Sequence, residues 1–160
     1  MSHHLAQINI ARFRLPTNDP ANAEFIAHLD RVNAIAEAQS GFVWRLKGDG
    51  NNALDIRTFE DPDVALNMSV WTDLESLAAF VYRNADHREI MRRRREWFDH
   101  MQIYMALWWI PIGHVPTPEE GKARLDLLAR LGPTPDAFVF RKPYPPPGAD
   151  AILPIVDRCA

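Results

Sequence analysis

The segment His87–Phe98 carries the side chains of this sequence that are best suited to chemistry. It contains four consecutive arginines, Arg92–Arg95. On a helix, three of these arginines have an acidic residue four positions away, which predicts paired and solvated side chains. Arg94 has only apolar residues three and four positions away, and His87 lies two turns earlier on the same face. The spacing predicts an imidazole and a guanidinium that both face the protein interior.

An inward arginine needs a partner, because an unpaired buried charge costs several kcal/mol. Arg94 must therefore meet a distant carboxylate, line a wet cavity, extend to the surface or bind an anionic or polar ligand. A purely structural interpretation is an internal salt bridge or a surface-reaching side chain, with His87 starting the helix. In the functional interpretation both residues line a pocket and are catalytic. His87 then accepts a proton and Arg94 stabilises a developing negative charge.

Polar side chains on two predicted strands supply further candidates. Asn9 and Asn67 occupy strand interiors, where asparagine is unfavourable, so each is either an accident of its place at a strand edge or an amide that serves a site. Asn67 is assigned a catalytic role, and Asn9 is assigned to substrate binding. Three more residues are expected at the walls or rim of the same cavity: Trp71, Trp108 and His114. The alternative for Trp71 and Trp108 is packing in the core or an interface, which is the more common role of tryptophan. The alternative for His114 is simple exposure to solvent.

The periodicity of the chain predicts the elements that position these residues. Alternation predicts strands at 5–12, 42–46 and 66–71, and a wholly apolar run predicts a strand at 103–110. Helical spacing predicts helices from Asp19 to Gly41, from Thr72 to Phe98 with an interruption near Asn84, and from Thr117 to Leu131. A short edge strand at 137–140 follows. We expect a Thr72–Glu75 capping box to start the second helix.

This order predicts an α+β fold of the ferredoxin-like type, βαββαβ, with an antiparallel four-stranded sheet. The domain is expected to span 1–141, including a short C-terminal helix, and a proline-rich extended tail to span 142–160. The strand at 103–110 is apolar on both sides, so both sheet faces must be covered. A second copy of the chain is the simplest cover, which predicts a homodimer. The alternative is that the third helix and the tail fold back over that face.

Composition narrows the class of protein. The chain has 160 residues, 47% of them hydrophobic, and a net charge of −3, which excludes a disordered chain and a strongly basic nucleic-acid-binding protein. No membrane span or signal peptide is evident, so we expect a cytoplasmic protein that binds neither membrane nor nucleic acid. Cys159 is the single cysteine, and no histidine spacing indicates a metal site. No phosphate-binding, zinc-hydrolase or serine-hydrolase motif is present.

Three stretches carry a resemblance to a known group: 67–71, 87–98 and 107–114. They resemble an uncharacterised bacterial family of unknown function, which is similar in architecture to the dimeric α/β-barrel superfamily that includes the antibiotic-biosynthesis monooxygenases. In cofactor-independent members, Asn, Trp, Tyr and Arg line a cavity between sheet and helices. The resemblance therefore implies such roles for Asn67, Trp71, Tyr82 and Arg94, with Tyr82 binding substrate.

The haem-degrading members of that superfamily combine a strand asparagine with a helix tryptophan and histidine. Asn9 and His87 resemble two of these, but Phe80 lies near the tryptophan position, which disfavours haem degradation. We therefore expect no cofactor, although haem and flavin are not excluded. The leading hypothesis is a cofactor-independent monooxygenase that acts on an electron-rich aromatic or polyketide-like small molecule. The alternatives are a non-catalytic binding module for an apolar metabolite and a structural dimer without a pocket.

Overall fold

A computed structural model describes residues 2–149, and the sequence-based predictions for the chain beyond them, including Cys159, lie outside this range. The chain alternates strands and helices as the ferredoxin-like class requires, so the predicted α+β class is confirmed. The strands are β1 (His3–Arg12), β2 (Phe42–Arg45), β3 (Val64–Trp71) and β4 (Met105–Pro111), and the helices are α1 (Ala23–Glu37), α2 (Leu74–Ala78), α3 (Ala85–Arg93) and α4 (Pro118–Leu131).

The four strands form one antiparallel sheet in the order β2-β3-β1-β4. β1 and β3 are the central strands, and their register places Asn9 directly opposite Asn67. The sheet is open within one chain. Closure into a barrel depends on a second copy and stays a prediction.

One face of the sheet is covered by α4. Ala6, Ile8 and Ile10 of β1 point to this face and pack in a cluster that also contains Leu125 and Leu128 of α4. α4 lies so close to the sheet that a Cβ atom at Gly121 would be 2.8 Å from Cδ1 of Ile8. The fold-back considered above for the third helix is therefore what the structure shows. Because α4 already covers this face, the sheet does not require a second copy of the chain to cover it. The homodimer stays a prediction.

The other face of the sheet carries Leu5, Gln7 and Asn9 of β1, and α1 and α2 lie above it. The apolar cluster on this side includes Ala36 of α1 and Leu77 of α2. Because a strand alternates its side chains, β1 presents an apolar row to α4 and a partly polar row to the other helices. The polar row is where an unfilled space is expected.

The helical segment between β3 and β4 consists of two parts separated by Asn84. α2 continues into a π-helical turn, Ala79–Arg83, and Asn84 then has extended backbone angles before α3 begins. The predicted interruption is confirmed. The predicted cap is wrong in detail, because the Asp73 carboxylate rather than Thr72 accepts the backbone N–H of Ser76, at 2.7 Å.

Beyond α4, the chain returns to the free edge of β4. The predicted strand at 137–140 is reduced to isolated bridges, and in the one that joins it to β4, Leu107 and Phe138 exchange backbone hydrogen bonds of 2.8 and 2.9 Å. Packing continues past the predicted domain boundary at 141, because Trp109 donates its indole N–H to the carbonyl of Tyr144. Among the described residues, no helix has the length and apolarity needed to cross a membrane.

The packing of α4 on the sheet predicts a large difference between two leucines of the same helix. Leu128 is 3% exposed and Leu131 is 62% exposed. Leu128→Ala is expected to lower the free energy of unfolding by about 2–5 kcal/mol, because it leaves a cavity between α4 and the sheet. The matched control Leu131→Ala is expected to change it by less than about 0.5 kcal/mol. Equal effects in urea denaturation would contradict the placement of α4.

Candidate functional site

A cavity of about 840 Å³ lies between the sheet and the helical segments α1, α2 and α3. This volume falls in the range of small-molecule sites, about 300–1,000 Å³. Most of its wall is apolar, and polar groups reach it from the floor and from α3. Six of the eight residues that the sequence analysis selected line it: Asn9, Asn67, Trp71, Tyr82, His87 and Arg94.

The imidazole of His87 is held in one orientation. Its Nδ1 lies 3.0 Å from the carbonyl oxygen of Val81, and its backbone N–H donates to the side chain of Asn84 at 3.0 Å. A carbonyl only accepts, so Nδ1 carries the hydrogen and Nε2 keeps its lone pair. Burial lowers the pKa of His87, and the hydrogen bond to Val81 opposes this change only in part. The ring is therefore a neutral base that lines the cavity.

An aromatic stack supports this imidazole. The ring of Phe80 lies 4.8 Å from the ring of His87 and is stacked on Trp71 at 5.5 Å, with an interplanar angle of 22°. Trp71 is almost wholly buried, and its indole N–H donates to the hydroxyl of Ser69 at 2.8 Å. These contacts give the cavity a flat aromatic wall that leads to the base.

Arg94 follows α3 directly, in a 3₁₀ turn formed by Arg94–Glu96. Its side chain is half-buried and lines the cavity, and it makes no ion pair or hydrogen bond with any residue of 2–149. Its neighbours differ: Arg92 is paired with Glu89, and Arg93 contacts Glu24 and Glu96. Arg94 therefore keeps its full hydrogen-bonding capacity for whatever enters the cavity.

The pairing at a spacing of four that the sequence predicts for this segment is wrong, since Arg92 pairs with Glu89 and Arg93 with Glu24 and Glu96. The sequence pairs Arg95 with Asp99 at a spacing of four, but the α-helix ends at Arg93 and a 3₁₀ turn follows. A 3₁₀ turn changes the angular spacing, so Arg95 and Asp99 do not share a face. Asp99 pairs instead with Arg12 on β1, at 2.8 Å.

Positive charge dominates the lining. Among the described residues that line the cavity, Asp99 supplies the one carboxylate, and it is paired with Arg12, which also binds Asp61. Five arginines line the same space: Arg14, Arg45, Arg94, Arg95 and Arg141. Arg45 is bound to Glu37 and Asn51, so the other four set the local potential. Such a site favours a ligand that carries negative charge or develops it.

The floor of the cavity is a row of hydrogen-bonded polar side chains. Gln7 donates from Nε2 to Asn67 at 2.7 Å and to Ser69 at 2.8 Å, and it accepts from Asn9 at 3.2 Å. Gln7 and Ser69 are buried, whereas Asn67 is exposed to the cavity. The asparagines are thus held by a residue beneath them.

Two of the predicted substrate-binding residues lie elsewhere. Trp108 is fully buried on the α4 face, because it shares the parity of Ala106 and Ile110 on β4. Its indole N–H donates to Glu120 at 3.0 Å, and the other oxygen of that carboxylate lies 2.8 Å from Nε2 of His114. Neither side chain lines the cavity. The apolar run around Trp108 gave no alternation from which its face could be assigned.

Sequence reasoning did not select several residues that shape the site. Phe80 and the carbonyl of Val81 hold the imidazole, and Gln7 holds both asparagines. The sequence did indicate the position of Gln7, because Gln7 lies two residues before Asn9 and therefore on the same polar face of β1. Val81 had no such signal, since a backbone acceptor in a π turn leaves no mark in the sequence. Within residues 2–149, no group of three or more His, Cys, Asp or Glu side chains is placed to hold a metal ion.

A family model described as "Domain of unknown function (DUF3291)" matches residues 4–153 of this chain. The chain belongs to this family. No curated protein matches it. The family has no assigned activity in its description, so the function has to be argued from the site.

Solved structures with a similar arrangement include three at low identity. The NE2512 protein of unknown function from Nitrosomonas europaea is 15% identical with a TM-score of 0.45, over 73% of this chain and 96% of that one. A "putative Antibiotic biosynthesis monooxygenase" from Chloroflexus aurantiacus J-10-fl is 14% identical with a TM-score of 0.45, over 71% and 97%. PA3566 from Pseudomonas aeruginosa is 14% identical with a TM-score of 0.46, over 72% and 98%. None of these likenesses assigns an activity.

The buried neutral state of His87 predicts a pH dependence of stability. The unfolded chain binds a proton at His87 near pH 6.5, whereas the folded protein binds it only at lower pH, because burial lowers the pKa. Protonation therefore favours unfolding, and stability is expected to fall as pH drops below about 6.5. In His87→Asn, which keeps a donor for Val81, urea denaturation should show a weaker fall between pH 6.5 and 5.

The control for this measurement is Leu131→Ala, at an exposed position. It removes no titratable group and is expected to keep the wild-type dependence on pH. Arginine partners lower the pKa of several carboxyl groups below the ordinary value of 4.5, as Arg93 does for Glu24. The stabilising effect of these carboxylates is therefore lost at a lower pH than the range from 6.5 to 5 that the measurement uses. Identical slopes for wild type and His87→Asn would contradict a buried neutral imidazole.

Proposed function

We propose that this protein binds an electron-rich aromatic small molecule in the cavity and oxygenates it without a cofactor. The observation that carries the proposal is the pairing of an unprotonated Nε2 on His87 with the unpartnered guanidinium of Arg94 on one cavity wall. A base and a fixed positive charge that line the same cavity favour removal of a proton from a phenol, an enol or an activated ring methylene. The flat wall of Phe80 and Trp71 suits an aromatic ring.

The spacing of the two groups sets the size of the substrate. His87 and Arg94 are seven residues apart, which corresponds to a rise of about 10 Å along a helix. A ligand that contacts both groups needs two or three fused rings. Its acidic carbon or hydroxyl lies at Nε2 of His87, and the oxygen that becomes negative lies at the guanidinium of Arg94.

The chemistry can be written with the substrate as the source of electrons. Nε2 of His87 removes a proton from a ring methylene that is conjugated with a carbonyl on the opposite side of the ring, and Arg94 stabilises the resulting enolate. The enolate reduces dioxygen, the methylene becomes a carbonyl, and the second oxygen atom leaves as water. The imidazolium returns its proton to that water. Non-catalytic capture of the same aromatic ligand is the alternative, and it lacks the dioxygen step.

Binding of 1-hydroxy-2-naphthoate measures the role of Arg94. Arg94→Gln removes the one unpartnered half-buried charge of α3 and its adjoining turn, so the Kd measured by calorimetry is expected to rise about tenfold or more. The matched control Arg92→Gln, at an exposed position paired with Glu89, is expected to leave the Kd unchanged. Equal losses in both variants, or no binding by the wild type, would contradict the proposed site.

Oxygen uptake with 1,8-dihydroxyanthrone measures the catalytic role of His87. The wild type is expected to consume dioxygen faster than the probe oxidises alone, and His87→Asn to lose about a hundredfold of that rate, since asparagine cannot act as the base. His114→Asn serves as the control, because its imidazole contacts Glu120 outside the cavity. Tight binding of the probe with no oxygen uptake would instead support the non-catalytic binding module.

A further inference from the structure

The floor of the cavity combines three amide side chains that cannot turn independently. Gln7 lies between Asn9 and Asn67, with one end of its amide bonded to each of them. It is 4% exposed, so solvent does not replace these bonds. Its Nε2 group also contacts Ser69 at 2.8 Å, which holds the amide on both sides.

The two ends of an amide differ in hydrogen bonding, because the NH₂ group only donates and the carbonyl oxygen only accepts. In the structure the NH₂ group of Gln7 faces the oxygen of Asn67, and the oxygen of Gln7 faces the NH₂ group of Asn9. Asn67 therefore turns its own NH₂ group outward, and Asn9 turns its oxygen outward. Neither outward group has a hydrogen-bond partner among residues 2–149.

This coupling has a consequence that does not depend on which way the amides are turned. If Gln7 rotates by half a turn, both asparagines must rotate with it to keep their bonds. Asn67 then offers its oxygen outward and Asn9 offers its NH₂ group. In either arrangement the pair presents one donor and one acceptor to the cavity, and never two groups of the same kind.

The pair is well placed to contact a ligand. Asn9 and Asn67 lie opposite each other on the central strands, so their Cβ atoms are about 5 Å apart. Both residues line the cavity, and Asn67 is exposed to it. Two polar atoms on one aromatic ring system can therefore reach both amides at the same time.

We propose that Gln7 is a positioning residue that sets the hydrogen-bonding pattern of the ligand. Through Asn9 and Asn67 it selects molecules that offer one acceptor and one donor, such as an aromatic ring system with one hydroxyl group and one ether or carbonyl oxygen. Molecules with two acceptors and no donor are disfavoured, because one acceptor faces an amide oxygen. This inference rests on the proposed function and specifies the substrate class of the same site.

Two neutral probes that differ by one methyl group test the selection. 4-Methoxy-1-naphthol offers a donor and an acceptor, whereas 1,4-dimethoxynaphthalene offers two acceptors. The wild type is expected to bind the naphthol about tenfold more tightly, since the second probe leaves one amide without its partner. In Gln7→Met the asparagines turn freely and both can donate, so the ratio of the two Kd values is expected to fall to nearly one.

Two further variants separate positioning from packing. Gln7→Glu is expected to keep or raise the ratio, because an ionised carboxylate accepts from both asparagines and a protonated one donates to one and accepts from the other. Gln39→Met is the matched control, since Gln39 is half-buried, bonds to the carbonyl of Ile35 and does not line the cavity. It is expected to leave the ratio unchanged.

The outcomes distinguish this inference from the proposed function. Binding of both probes with the same ratio in wild type and Gln7→Met overturns the inference and leaves the cavity as a ligand site. Absence of binding to the wild type overturns both. If Gln7→Met fails to fold, Gln7→Glu and Asn67→Leu decide, and an unchanged ratio in Asn67→Leu contradicts the role of the asparagine pair.

Discussion

One hydrogen bond, from Nδ1 of His87 to the carbonyl of Val81, connects the fold of this protein to its proposed chemistry. A continuous helix between β3 and β4 would use that carbonyl for a backbone N–H four residues later. The π turn and the extended angles of Asn84 interrupt the helix, so the Val81 carbonyl is available to the imidazole. The bond fixes the tautomer and leaves Nε2 as the acceptor. The break in the helix is therefore a requirement of the site.

The two faces of β1 have different surroundings: one packs under α4, and the other faces the cavity. Ala6, Ile8 and Ile10 are packed under α4, which approaches closely because Gly121 has no side chain. Gln7 and Asn9 point to the other face, where an apolar wall, a polar floor and an unpaired arginine surround an open volume. Each face has a buried apolar cluster, and the polar side chains of β1 lie where the second face opens onto the cavity rather than in a packed core.

Sequence periodicity predicted the class of fold, the order of its elements and five of the candidate residues at the cavity, whereas the sixth, Tyr82, came from the family resemblance. It could not assign Trp108 to a face, because the run around it is apolar on both sides. It did not place α4 on the sheet, since an amphipathic helix indicates a buried face without identifying what covers it. The role of Gln7 was missed because a hydrogen-bond network depends on the register of β1 and β3.

The central claim is that His87 is a neutral imidazole whose Nε2 faces a ligand site. Nitrogen-15 chemical shifts of His87 in labelled protein test it most directly, at pH 7 with and without 1-hydroxy-2-naphthoate. The account predicts a neutral ring with the hydrogen on Nδ1, and a change at Nε2 when the aromatic acid binds. An imidazolium ion at pH 7, a hydrogen on Nε2, or shifts that are insensitive to the added acid would contradict it.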